Sequence, residues 1–178
     1  MTLLGSISPR QGAAPINKSP FENPFDVVRA PDRHAIWEVL VARDSEAFAA
    51  VDWSICVDDF AADRFDGISA HGSLNPADWS MRYPTVESYR DDWIQMAHDY
   101  RTVPLADVSH RELLYRMQSI HRIDLTDDRA VIWKQFRADE RLTSGGRHKT
   151  LGQSVYRMHR IDCRWLIVGF VGYLPLES

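Results

Sequence analysis

Lysine is scarce in this chain of 178 residues: only Lys18, Lys134 and Lys149 occur, and arginine supplies the rest of the 21 basic residues. Nucleic-acid binders concentrate Lys and Arg on one face. Here the arginines are scattered, and 25 acidic residues bring the formal net charge to −4. No nucleic-acid partner is expected. Cysteine is rarer still. Cys56 and Cys163 lie far apart and outside any CxxC spacing, which offers no zinc site, and both read as small apolar residues. The histidines (His34, His71, His98, His110, His121, His148 and His159) show no HxH or HExxH spacing, so no metal is expected. GxGxxG, P-loop and GxSxG patterns are also missing. The longest apolar run, Trp165 to Leu174, is far shorter than the about 20 residues of a membrane helix. The opening MTLLGSISPRQGAAP lacks a basic n-region and a long apolar stretch, so a secretory leader is not expected. These absences predict a cytoplasmic protein that works without cofactor, metal or membrane.

What is present is a globular balance, 44% apolar and 26% charged residues, in a chain long enough to bury one real core. Residues 1–28 are rich in Pro, Gly, Ser and Asn without periodicity and read as a flexible arm, with Phe21 and Phe25 of PFENPF placed to dock on the body or on a neighbouring subunit. Residues 29–178 form the folded domain. Pro31 and Asp32 predict a helix start, and Ile36, Trp37, Leu40 and Val41 give its apolar stripe. Asp44-Ser45 is expected to break that helix and begin a second, to about Trp53. TVESYRDDWIQMAHDY, between Pro84-Thr85 and Pro104, is the third. Beyond Pro104, LYRMQSIHRIDL, AVIWKQFRA, TLGQSVYRMHR and RWLIVGFVGYL read as long strands joined by TDD, SGGRHK and IDC. This order predicts an α+β domain with helices on one face of a sheet.

Two stretches carry a family likeness. ARDSEAFAAVDWSICVDDF (Ala42–Phe60), and RIDLTDDRAVIWKQF followed by YRMHRIDCRWLIVGF, resemble the NTF2-like superfamily, and within it the SnoaL-like group. The likeness spans about residues 30 to 174, and its short motifs specify fold better than activity. It implies a cone: a curved antiparallel sheet wrapped around three N-terminal helices, with a pocket at the open end. It also implies a homodimer packed through the sheet, in keeping with the apolar residues on both faces of VIWKQF and WLIVGFVGYL.

Of the five carboxylates in the first stretch, the resemblance picks out Asp44 as a pocket base, a role open to a half-buried carboxylate. Its position at a helix joint equally suits a plain N-cap. Asp52, Asp58 and Asp59 read as architecture. The family's partner histidine would fall where this chain has Tyr115 or Arg116, with His110 before the strand and His121 within it. Arg116 could pair with Asp44 or clamp an anion. The Asp–Arg–Asp set of the superfamily's epoxide hydrolases has no counterpart in AVIWKQFRA. Trp79, Tyr83, Trp93, Met117, Trp133 and Gln153 are the candidate substrate contacts, Trp79 and Tyr83 from a loop that could lid the pocket. The expected activity is cofactor-free acid–base chemistry on a small organic molecule: dehydration, isomerisation or cyclisation. Asp44 would be its base, and Tyr115, Arg116 or His121 would hold the substrate. The alternative is a non-catalytic ligand-binding or dimeric interaction module of the same fold.

Overall fold

A computed structural model describes residues 19–176. Helix α1 (Pro31–Trp37) starts with Pro31 in its first turn, where the missing N–H costs nothing. It does not stop at Asp44. Glu38–Arg43 widen into a π-helical turn and α2 (Asp44–Ala50) continues directly, with Asp44 itself helical at φ −57 and ψ −46. The expected joint is thus a helix interior. Nothing from Glu38 to Ala50 is Pro or Gly, so no residue forces a break. Consequently Asp44 has no free backbone N–H to cap, and its carboxylate is directed elsewhere. The helix ends at Val51, whose φ of 56 is left-handed.

The third helix, α3 (Val86–Arg101), begins at a reciprocal cap between Thr85 and Ser88 and buries Val86, Trp93, Ala97 and Tyr100. The segment read as the start of a strand is instead helical: α4 (His110–Met117) buries Leu113, Leu114 and Tyr115. Ser109 accepts from the Glu112 N–H at 3.1 Å, so a capped start outweighs the β-compatible composition that follows.

Among the described residues six strands form one sheet: β1 (Asp66–Ser69), β2 (Ser80–Tyr83), β3 (Gln118–Thr126), β4 (Arg129–Arg141), β5 (Arg147–Ile161) and β6 (Arg164–Leu174). Their order is β2-β1-β6-β5-β4-β3. Every pair is antiparallel except β1 with β6, which is parallel. Register shifts near Ile120, Gln153 and Arg157 bend the long strands, as bulges do. The inner face carries Ala130, Ile132 and Lys134 of β4 and Ser154, Tyr156 and Met158 of β5, all buried. These pack against Ile36, Leu40, Ala47 and Trp93.

Of the segment read as a flexible arm, residues 1–18 lie outside the described residues. Phe21 packs edge-on to Tyr115 at 4.9 Å, Asn23 donates to Glu38 at 2.8 Å, and Phe25 joins the cluster of Trp37, Val41 and Tyr115. Among the described residues no helix is long and apolar enough to cross a membrane.

Candidate functional site

Between α2, α3, α4 and the inner face of the sheet lies a cavity of about 760 Å³. Its walls are Phe48, Trp93, Met96, Phe136, Tyr156 and Phe170, and its rim includes His71, Arg82 and Tyr173. Such a volume suits a small organic ligand. Asp44 lines it from the helical side. The carboxylate, 31% exposed, accepts from the Lys134 ammonium at 2.9 Å, while Lys134 is only 1% exposed. Trp93 Nε1 approaches the other Asp44 oxygen at 3.4 Å, and Lys134 also donates to the carbonyl of Leu40 in the π-helical turn. Lys134 further sits 5.1 Å above the Phe136 ring. Its charge is therefore spent inside the protein, whereas one face of the Asp44 carboxylate meets the cavity.

Behind Asp44 a second space of about 10 Å³ is enclosed by Cys56, Asp59, Tyr89, Lys134 and Tyr156, among others, roughly the room that one water needs. Burial, reinforced by the Asp44 charge, pushes the phenols of Tyr89 and Tyr156 well above their usual range. Burial likewise raises the Cys56 thiol, with Asp44 and Asp59 adding to the effect. These groups stay protonated, so the space beside Asp44 is lined by neutral phenols and a neutral thiol rather than rival anions.

The other four carboxylates of the opening motif have separate tasks. Asp52 accepts from Ser54 N–H at 3.0 Å. Asp58 is exposed. Asp59 takes a two-pronged bond from Arg43, with Nη2 at 2.7 Å. Burial pushes its carboxyl up, and Arg43 pulls it back. Glu46 accepts from Arg111 at 2.9 Å and from Tyr115 at 2.7 Å.

Of the residues singled out in the sequence, Asp44, Trp93, Met117 and Gln153 line the cavity. Tyr115, Arg116 and His121 do not meet Asp44. Tyr115 belongs to α4 and turns its hydroxyl to Glu46, because the helix runs where a strand was expected. Arg116 stands between Glu112 and Glu140, 3.7 and 3.6 Å away. His121 is exposed at the irregularity of β3. Trp79 donates to the carbonyl of Ser73 at 3.0 Å. Trp133 lies on the outer face beneath Arg122. Tyr83 is buried and donates to Asp92 at 2.5 Å, behind the rim.

Sequence reasoning missed Lys134, Tyr89, Tyr156, Arg82 and Gln118. Alternation along β4 does place Lys134 with Ala130, Ile132 and Phe136, and a lysine on an apolar face was the available signal. Gln118 donates to Ser45 at 3.2 Å, and its Oε1 is the one buried side-chain polar atom without a partner among the described residues. No group of three or more His, Cys, Asp or Glu suited to a metal occurs among the described residues.

No protein-family model matches the sequence, and neither does any curated protein. Solved structures do match in shape. A domain of unknown function with a cystatin-like fold from Nostoc punctiforme superposes with TM-score 0.53 at 14% identity, covering 83% of this chain and 79% of that one. An NTF2-like protein with a cystatin-like fold from Novosphingobium aromaticivorans gives 0.50 at 12%, covering 85% and 86%. A conserved protein from Planctomyces limnophilus gives 0.52 at 15%, covering 83% and 98%. Identities this low speak to architecture alone. Helices held against the inner face of a curved six-stranded sheet, with a cavity between them, give this chain the NTF2-like fold.

Proposed function

We propose that this protein is a SnoaL-like enzyme that moves a proton within a small, largely apolar substrate, without a cofactor. The observation that carries this reading is the Asp44 carboxylate, ion-paired to the buried Lys134 and facing a cavity walled by aromatics. A carboxylate in that setting takes a proton from an activated carbon. The neutral phenols of Tyr89 and Tyr156 are suited to hydrogen-bond an oxygen on which charge develops. The resulting electron pair expels a neighbouring hydroxyl, which leaves as water with the proton (dehydration), takes the proton back at another carbon (isomerisation), or bonds to a carbonyl carbon of the same substrate whose oxygen takes the proton (cyclisation).

2-Tetralone, a bicyclic ketone with acidic C–H bonds, tests the base without requiring the natural substrate. The protein in D2O is expected to accelerate deuterium uptake beside its carbonyl, followed by NMR. Folded Asp44→Asn protein is expected to lose at least about 100-fold of that acceleration. Equal rates in the two proteins would favour the alternative, a ligand-binding module in which Asp44 only holds Lys134.

We further propose that a second copy covers the outer face of the sheet. Val155 faces Val171 across β5 and β6, and Trp133 across β4 and β5, which leaves an apolar strip of half-buried side chains. Sedimentation is expected to give a dimer at micromolar concentration, and a monomer there would count against it.

A further inference from the structure

Resting on that reading, we propose that the substrate is an apolar carboxylate, its anion held by Arg82 at the cavity mouth and its body directed inward to Asp44. Arg82 lines the cavity from the edge strand β2, and its side chain is 44% exposed. Its guanidinium is held in place from several sides. Nη2 donates to Asp92 at 2.8 Å. The ring of Tyr83 lies 5.2 Å from the guanidinium carbon and that of Tyr173 lies 5.3 Å away. Asp92 is itself shared, since Tyr83 donates to the same carboxylate oxygen. An arginine has five N–H donors in a planar fork, and among the described residues Asp92 is its only hydrogen-bond partner. The remaining edge suits a carboxylate taken in bidentate fashion.

The aromatic bracket is deliberately placed. Tyr173 sits at φ 59, a left-handed backbone that a bulky side chain rarely adopts. Gly72 N–H donates to its carbonyl at 2.8 Å, and its hydroxyl lies 3.2 Å from that of Tyr83. His71, on the same rim, shares a hydrogen bond with Ser80 at 2.7 Å.

Charge then sets direction. Among the described residues the lining holds one carboxylate, Asp44, and one guanidinium, Arg82. A substrate carboxylate is repelled by the first and attracted by the second, so an amphipathic acid enters in one orientation. Phe48, Trp93, Met96 and Phe170 receive its body, and its far end is presented to the base.

A matched pair of probes, 2-naphthoate and its methyl ester, tests this by calorimetry at low salt. Wild type is expected to bind the acid about tenfold more tightly than the ester, the scale of one charge-assisted contact. Arg82→Met should bring that ratio to about one or below, because Asp92 is then left uncompensated. Arg82→Lys, which keeps the charge but not the fork, should fall between. Asp44→Asn should retain the acid preference, so recognition at the mouth stands or falls separately from proton transfer. An acid-to-ester ratio near one in wild type would overturn the proposal. So would an undiminished ratio in Arg82→Met, or failure of both probes to bind.

Discussion

Asp44→Asn is expected to destabilise the protein by about 3 kcal/mol, and Lys134→Met by less, about 1–2 kcal/mol. The asymmetry follows from where each charge sits. Removing the carboxylate strands an ammonium that is 1% exposed, leaving it the Leu40 carbonyl and a neutral amide oxygen. Breaking a buried pair from one side typically costs about 3–5 kcal/mol, and the surviving acceptors place this case at the low end. Removing the ammonium instead strands a carboxylate that is 31% exposed and can be hydrated from the cavity. Methionine also fills most of the lysine stem's space. A plain helix cap would cost about 1 kcal/mol on mutation and would not involve Lys134 at all. Urea unfolding of both variants, with Asp44→Leu/Lys134→Met as the apolar replacement of the pair, decides the matter. The double variant is expected to be more stable than Asp44→Asn. A Lys134→Met variant less stable than Asp44→Asn would place the burden of the pair on the wrong partner.

Gly169→Ala is expected to cost about 3 kcal/mol or more, although it adds a single methyl group. Gly169 has φ +156, and a Cβ there would fall on the Asp66 carbonyl oxygen and the Arg157 guanidinium. The guanidinium can swing away, but the carbonyl belongs to the backbone of β1 and is fixed by the parallel pairing of Asp66 with Gly169. The methyl therefore pries β1 from β6. Because β1 is the only strand that pairs with β2 in the sheet, the damage reaches Arg82 and should also weaken the acid preference at the mouth. Gly145→Ala is the control: φ is +86, yet nothing lies within 4 Å of the added carbon, so only the backbone term of about 1 kcal/mol applies. Chemical denaturation that ranks the two substitutions equally would show that the β1–β6 contact yields easily.

The parts of the fold legible in the sequence are those marked by local chemistry. Pro84, Thr85 and Pro104 bracket α3, and its apolar positions recur at helical spacing. The four long strands are set off by TDD, SGGRHK and IDC. The α4 helix was equally legible, through the Ser109-x-x-Glu112 signature, but the β-compatible residues after it drew the reading to a strand. Read as a strand, the segment puts Tyr115 and Arg116 on the wrong element and hides Asp44's true neighbours. Asp44 itself shows the limit of local reading. An Asp-Ser pair after an apolar stripe looks like a cap, and its environment is set by Lys134, 90 residues later in the chain. Similarly, Arg82 sat in a stretch read as a loop, and only the pairing of β2 with β1 brings it to the rim beside Tyr173.

A crystal structure of the protein with 2-tetralone bound would show whether Asp44 reaches an acidic C–H of a ligand in the cavity. The bicyclic ring is expected among Phe48, Trp93 and Phe170, with a carbon next to the ketone about 3–3.5 Å from an Asp44 oxygen, the separation at which proton transfer becomes feasible. A ligand seated elsewhere, or one in the cavity with Asp44 turned wholly to Lys134 and out of its reach, would rule out Asp44 as the base.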